Sequence, residues 1–137
     1  MVKVFLDTNV LLDVLQQREE FLIDSANVLS RCLSGVHEGR FSALSVCDIM
    51  YIMCRRFPQD KVLSELRKLS ASLEMLDVKS TEVKAALISG GKDFEDSVQR
   101  ICAEDNGSDV IVTRDKGGFA NARIPVLTPA EFLAMSS

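Results

Sequence analysis

The sequence predicts an α/β fold in which helices cover both faces of a parallel sheet. Short apolar runs rich in β-forming residues alternate along the chain with segments whose apolar residues recur every three or four positions. The clearest runs, at residues 2–6 and 110–112, each end at a polar stretch that can begin a turn or a helix. This alternation is typical of strand–helix–strand units. A chain of 137 residues has the length of one domain, so we expect residues 1–137 to form it.

The first half of the chain predicts two strands and four helices. The longest helix extends from Phe21 through Val36 and ends at the polar stretch 37–40, whereas the second strand is only weakly indicated. In order, we expect a strand at 2–6, a helix holding residues 10–15, a helix at 21–36, a strand at 41–44, and helices opened by Ser45 and Pro58.

The second half repeats the alternation. We expect a strand at 73–78, a helix capped by Ser80 and broken at Gly90 and Gly91, a helix beginning at 93–96, and strands at 110–112 and 125–127. The stretch 128–131 then predicts a last helix, because Thr128 can cap it, Pro129 suits its first position and Glu131 completes a capping box.

The composition excludes several classes of protein. With 16 Lys and Arg against 20 Asp and Glu, the net charge of −4 opposes a broad basic face for nucleic acid, although it permits local contact through a metal. No apolar run approaches the length of a membrane span or a signal peptide, so we expect a cytoplasmic protein. The four cysteines form no C-x-x-C pair and lie in apolar helical patterns, which predicts buried free thiols; with a single histidine, a zinc site is not expected.

Acidic residues follow the predicted strands. Asp7 and Asp115 come directly after strands, Asp96 lies in a first helical turn behind a potential cap at Asp93, and Asp48 lies three residues into a helix. Each could be an ordinary helix cap or first-turn acid. Because the carboxyl ends of parallel strands meet at one edge, we expect these acids to converge there. Clustered carboxylates need a compensating cation, and oxygen ligands suit Mg²⁺ or Mn²⁺.

Three ordered segments of the chain resemble the motifs of PIN domains. They are FLDTNVLL at 5–12, DFED at 93–96 and VIVTRDK at 110–116, followed by IPVLTP at 124–129, so that the resemblance covers essentially the whole chain. The resemblance implies a three-layer α/β/α sandwich and a metal-dependent endoribonuclease. It also implies that Asp7, Asp96 and Asp115 are the catalytic, metal-binding acids.

The same resemblance assigns supporting roles. It places Thr113 as a hydroxyl that supports the site and Asn9 as a polar neighbour of the first acid. Asp93 supports the site by capping the helix that carries Asp96. Asp48 stands where the family usually has Glu as a further metal-binding acid. Because Asp is one methylene shorter, we expect it to reach the metal through water.

Two cations beside the last acid are candidates for RNA contact. Arg114 and Lys116 flank Asp115 and could meet backbone phosphate, or could be solvated surface charges. The small size resembles the toxin of a toxin–antitoxin pair, which implies an antitoxin partner and a homodimer.

Competing interpretations differ in their residues. A phosphatase of the haloacid dehalogenase type needs a second Asp where Asn9 stands, because Asn has no carboxyl proton to donate. A response-regulator receiver needs adjacent acids after the first strand and a late Lys before Pro, and the sequence has neither. The alternative that stays open is a PIN-like module with weakened catalysis that binds RNA or protein.

Overall fold

The computed structural model describes residues 1–89 and 91–135, and within them five strands and seven α-helices. The strands are β1 (Lys3–Leu6), β2 (Glu38–Ser42), β3 (Glu74–Leu76), β4 (Val110–Val112) and β5 (Val126–Leu127). The helices are α1 (Thr8–Leu15), α2 (Leu22–Leu33), α3 (Ala43–Met53), α4 (Gln59–Ser72), α5 (Ser80–Ser89), α6 (Phe94–Asp105) and α7 (Pro129–Met135). A 3₁₀ turn at Lys116–Phe119 follows β4. The predicted α/β fold is confirmed.

The sheet is parallel throughout, in the order β3-β2-β1-β4-β5. In register, Val4 lies opposite Val110 on one side of β1 and Gly39 on the other. The chain first adds strands on the β2 side and then returns to add β4 on the opposite side of β1. In open parallel sheets the crevice at such a reversal, beyond the carboxyl ends of the strands, is the usual place for a functional site. Here that crevice lies between β1 and β4.

Helices on both faces bury β4 and all of β1 except Lys3. Val4 and Leu6 contribute to the core on one face of β1, while Phe5 belongs to the core on the other face, as the two-residue period of a strand requires. β4 alternates in the same way, with Ile111 beside Phe5. A strand covered on both sides reads as a continuous apolar run, which is why β1 and β4 were predictable from the sequence.

The second strand differs from the prediction at 41–44. It occupies Glu38–Ser42, so Gly39 and Arg40 of the polar stretch are buried in the sheet, and α3 begins at Ala43. Arg40 is only 4% exposed because its guanidinium group donates to Glu74 Oε1 at 2.9 Å and to the main-chain oxygen of Asn106. These partners offset the cost of burying the charge.

Helix α2 ends earlier than predicted. It stops at Leu33 rather than Val36, because Gly35 adopts φ +85° and the amide groups of Val36 and His37 return to the carbonyl oxygen of Arg31. A left-handed glycine with such returning bonds is a common helix terminus. Helix α5 ends at Ser89, and the break predicted at Gly90 lies outside the described residues.

The cysteine prediction is half correct. All four thiols are free, but only Cys32 and Cys102 are buried, whereas Cys47 and Cys54 lie on the exposed side of α3 and at its end. In the part of the chain that the structure describes, no helix has both the length and the apolar character required to cross a membrane.

Candidate active site

Asp7 stands at the crevice between β1 and β4 and also begins α1. Its carboxylate accepts hydrogen bonds from the Thr8 amide at 2.8 Å through Oδ1 and from the Thr113 hydroxyl at 2.8 Å through Oδ2. The residue is 5% exposed. Burial raises the pKa of Asp7, the two hydrogen bonds oppose that rise, and the charges of Asp115 and Asp93 add to it. This carboxylate is held firmly, with other acids close enough to repel it.

Asp96, in the first turn of α6, has a strongly raised pKa. Asp93 caps α6 by accepting the Asp96 amide at 3.1 Å, which places Asp96 in the first turn. Burial, followed by the charges of Asp7, Asp93 and Asp115, raises the pKa of Asp96 from 3.8 to about 7. Within the described ranges, its carboxylate accepts no hydrogen bond from the protein. Of the acids predicted to converge, Asp7, Asp96 and Asp115 therefore lie near one another in the structure.

Gly118 forms part of the wall beside Asp96. A methyl group placed on Gly118 would lie 1.9 Å from Asp96 Oδ2, so no larger residue fits while the carboxylate keeps its position. This close approach by a residue of the 3₁₀ turn brings the segment after β4 against the beginning of α6.

Thr113 links the two acids that follow β1 and β4. Its hydroxyl donates to Asp7 and accepts the amide of Asp115 at 3.0 Å, so one side chain orients both carboxyl-bearing segments. Asn9 Oδ1 accepts the Arg114 amide at 3.4 Å, and Asn9 Nδ2 lies 3.5 Å from the Thr113 hydroxyl oxygen. Both residues thus lie where the sequence predicted them, beside the first acid.

Asp48 joins the acids through a residue that the sequence analysis did not single out. Glu95, which lies between Asp93 and Asp96 on the chain, meets Asp48 across the gap between α6 and α3. The side-chain hydrogen bond between them, together with burial and the charge of Asp48, raises the pKa of Glu95 to about 8. The second carboxyl oxygen of Asp48 is buried and has no hydrogen-bond partner in the described residues. The signal in the sequence was the run of three acids in four positions at 93–96.

A buried polar network lies beneath these acids and was also missed. Gln99 donates through Nε2 to the hydroxyl oxygens of Thr8 and Ser45, each at 3.2 Å, and accepts from Ser42 at 2.5 Å. The hydroxyl groups of Thr8 and Ser45 lie 2.7 Å apart and share a hydrogen bond. Because Thr8, Ser45 and Gln99 belong to α1, α3 and α6, the network fixes the helices that carry the acids. Its sequence signal is polar residues at positions where helical spacing calls for apolar ones.

The two flanking cations already have partners. The Arg114 Nε atom lies 2.8 Å from the buried Asp13 carboxylate, and its guanidinium carbon lies 3.8 Å from the centre of the Phe21 ring. Lys116 Nζ lies 3.1 Å from Glu131. The ion pair and the stacked ring hold the Arg114 side chain in one orientation. Phosphate contact by either residue stays a prediction.

The donor set suits a divalent cation, although it is not preassembled. Among the described residues, no three Asp, Glu, His or Cys side chains are already arranged to ligate one ion. The acids are nevertheless mutually repelling, Asp96 has a space shaped around its carboxylate by Gly118, and Asp48 has an unpartnered oxygen. A hard cation with oxygen ligands would relieve all three features. The residues therefore fit a metal that draws the carboxylates together.

Comparison with known proteins agrees with this geometry. The family model described as "PIN domain" matches residues 3–117. The chain is 30% identical over 138 aligned positions to Ribonuclease VapC1 of Aquifex aeolicus (strain VF5), covering 95% of this chain and 92% of that protein.

Two solved structures share the fold. VapBC2 from Rickettsia felis, bound to a promoter DNA fragment, matches with a TM-score of 0.68 at 15% identity, over 92% of this chain and 97% of that one. A toxin-antitoxin complex from Klebsiella pneumoniae matches with a TM-score of 0.66 at 19% identity, over 92% and 97%. These structures share the fold, and the family model and the sequence relative confirm the family that the motifs predicted: the chain belongs to the PIN domain family.

Proposed function

We propose that this protein is a divalent-metal-dependent endoribonuclease that hydrolyses RNA phosphodiester bonds at the crevice between β1 and β4. The observation that carries the proposal is the convergence of Asp7, Asp96 and Asp115 there, with the pKa of Asp96 raised to about 7 by burial and by the charges of its acidic neighbours. The 30% identity to a ribonuclease over nearly the whole chain supports RNA as the substrate. PIN-domain nucleases of this kind are generally dependent on divalent metals.

The metal would be Mg²⁺ or Mn²⁺, held by Asp7, Asp96 and Asp115, with Asp48 contributing through water. Bound there, it would lower the pKa of a water molecule and neutralise charge on the scissile phosphate. The protein needs no nucleophilic side chain of its own for such hydrolysis. The carboxylates are the groups through which the chain controls the chemistry.

The residues around the acids have separate tasks in this proposal. Thr113 orients Asp7 and the Asp115 segment through its two hydrogen bonds. Asp93 holds the beginning of α6, so that Asp96 projects into the crevice. Asp96 must lose its proton before it can ligate, and with a pKa of about 7 it does so near neutral pH. Glu95 holds the proton that lets it lie beside Asp48 without repulsion.

Cleavage of a mixed RNA pool tests the proposal directly. Purified protein should cut RNA with Mg²⁺ or Mn²⁺ and not with EDTA, and Asp7→Asn and Asp96→Asn should each nearly abolish cleavage because the acids act as one unit. Asp60→Asn, an exposed acid in the first turn of α4, is the matched control and should keep full activity. Normal cleavage by Asp96→Asn would refute the assignment. RNA binding without cleavage would favour the alternative of a binding module.

The partners and the location follow from the same proposal. We infer an antitoxin partner, since the chain shares its fold with the toxin-antitoxin complex from Klebsiella pneumoniae. Co-expression with the product of a neighbouring reading frame should yield a stable complex and suppress cleavage. The homodimer and the cytoplasmic location expected from the sequence stay predictions, and light scattering at several protein concentrations tests the first of them.

A further inference from the structure

A basic groove lies where the ends of α1 and α3 approach each other. We call it the arginine groove; it encloses about 540 Å³ and is lined by Gln16, Arg18, Ile52, Arg55, Arg56 and Phe57. Three of these residues are arginines, and no Asp or Glu of the described residues lines it. This local excess of positive charge contrasts with the net charge of −4 of the chain as a whole.

An exposed aromatic ring lies beside the groove. Arg55 donates to the Tyr51 hydroxyl oxygen at 2.7 Å, and its guanidinium carbon lies 4.6 Å from the centre of the Tyr51 ring. Tyr51 is 68% exposed, so the stacked pair offers its surface to solvent. Aromatic rings that stack on bases, next to cations that meet the backbone, are the means by which proteins bind single-stranded nucleic acid.

The position of the groove connects it to the acids. Asp48 and Ile52 are four residues apart in α3, which places them on one side of the helix, and Arg55 follows in the turn after the helix ends at Met53. The four residues from Asp48 to Ile52 span about 6 Å of helix, so the groove begins about one helical turn from Asp48. A polymer lying in the groove could therefore also reach the side of α3 that carries Asp48.

We propose that the arginine groove binds the phosphate backbone of single-stranded RNA on one side of the bond to be cleaved, with Tyr51 stacking on a base. This inference rests on the proposed function and adds to it the form of the substrate. An acidic peptide would satisfy the arginines, but it would not use the exposed ring or the continuity with a phosphodiester-cleaving site. Arg18 is the least available of the three arginines, because it lies 3.6 Å from the buried Asp13 carboxylate. The exposed Arg55 and Arg56 should carry most of the contact.

The salt dependence of RNA binding provides the test. We would measure fluorescence anisotropy of a labelled, mixed-sequence single-stranded RNA with the full chain in EDTA, between 50 and 200 mM KCl. Each phosphate contact contributes about 0.7 to the slope of log affinity against log salt, so the double variant Arg55→Gln/Arg56→Gln should lose about 1.4. Over this fourfold salt range, the factor by which the affinity of the variant falls should then be about seven times smaller than the factor for the wild type.

A matched control removes the same charge elsewhere. Arg67→Gln/Lys68→Gln changes two exposed residues in the later turns of α4 and should leave the slope unchanged. In cleavage assays with metal, the Arg55→Gln/Arg56→Gln variant should show its loss mainly in KM. If the wild type cleaves RNA but both double variants show the same salt slope as the wild type, the groove is not an RNA site and the proposed function survives. Tighter binding of a poly-glutamate peptide than of RNA in the groove would also overturn the inference. A wild type that neither binds nor cleaves RNA would refute the proposed function itself.

Discussion

Replacing Asp96 by Asn should make the metal-free protein more stable at alkaline pH while destroying its metal site. Partial burial of Asp96, followed by the charges of Asp7, Asp93 and Asp115, raises its pKa to about 7. The unfolded chain lacks these neighbours, so there its pKa returns to about 3.8. A carboxyl group that binds its proton more tightly in the folded state stabilises the fold below pH 4, and this stabilisation is lost as pH rises toward 7.

The size of the effect follows from that difference. A change of about 3 pKa units corresponds to roughly 4 kcal/mol as an upper bound, since each unit is worth about 1.36 kcal/mol. Asp96 is not fully buried, and solvent and salt screen its repulsion, so we expect about half of this, near 2 kcal/mol at pH 8. Asn keeps the shape of the side chain without the charge. For a domain of this size, 2 kcal/mol corresponds to an increase of about 6–10 °C in Tm.

Thermal and urea unfolding at pH 5 and pH 8, in EDTA, would measure this difference. The stability gain of Asp96→Asn over the wild type should grow from pH 5 to pH 8, and saturating Mn²⁺ should reverse the order at pH 8 by stabilising only the wild type. Glu20→Gln removes an exposed charge from the loop after α1 and serves as the control, with the same stability as the wild type at both pH values. Equal stability of wild type and Asp96→Asn at pH 8 would show that the acids do not repel one another as the structure indicates.

Three further outcomes are expected. Mg²⁺ or Mn²⁺ at 100 times its dissociation constant should stabilise the wild type by about 2.7 kcal/mol, and a Tm that stays constant through a millimolar titration would contradict a metal site. Asp48→Asn should reduce cleavage and metal affinity by about 10 to 100-fold, whereas Asp7→Asn should remove both. Cleavage rates and metal titrations of the two variants measure this difference, and equal inactivity of the two would show Asp48 to be a direct ligand. Gly118→Ala should displace the Asp96 carboxylate and weaken metal binding, as measured by isothermal titration, while the circular dichroism spectrum stays unchanged. Gly117→Ala is the control, because a methyl group there would lie 3.5 Å from the nearest atom.

The parts of the molecule that could be predicted from the sequence are those with local signals. β1 and β4 are continuous apolar runs because both of their faces are covered, and each acid next to them is adjacent in sequence to the element that positions it. The cap at Asp93 was likewise local, since its partner is the amide of Asp96 three residues later. The convergence of Asp7 with Asp115 followed from the parallel alternation alone, and their catalytic roles stay predictions.

The parts that could not be predicted depend on partners distant in sequence. β2 contains Gly39 and Arg40, and a buried arginine is favourable there only because Glu74 and Asn106 are brought to it by other elements. Gln99 lies at a helical position where an apolar residue is expected, and its burial is favourable only because α1 and α3 supply hydroxyl groups to it. Similarly, Glu95 becomes part of the site only when α3 brings Asp48 across from it.

Asp7 has both a structural and a proposed catalytic role, and this affects how the loss of activity in an Asp7 variant is interpreted. One carboxylate both begins α1, through the Thr8 amide, and faces the crevice, so replacement by Ala removes a helix cap and a ligand together. An inactive Ala variant would therefore confound poor folding with lost chemistry, because the cap alone is worth about 1 kcal/mol. Asn is the one amide replacement that keeps a capping oxygen at the same reach. A relative that has abandoned catalysis but still folds and binds its partners should accordingly be found with Asn, Ser or Thr at this position far more often than with an aliphatic residue.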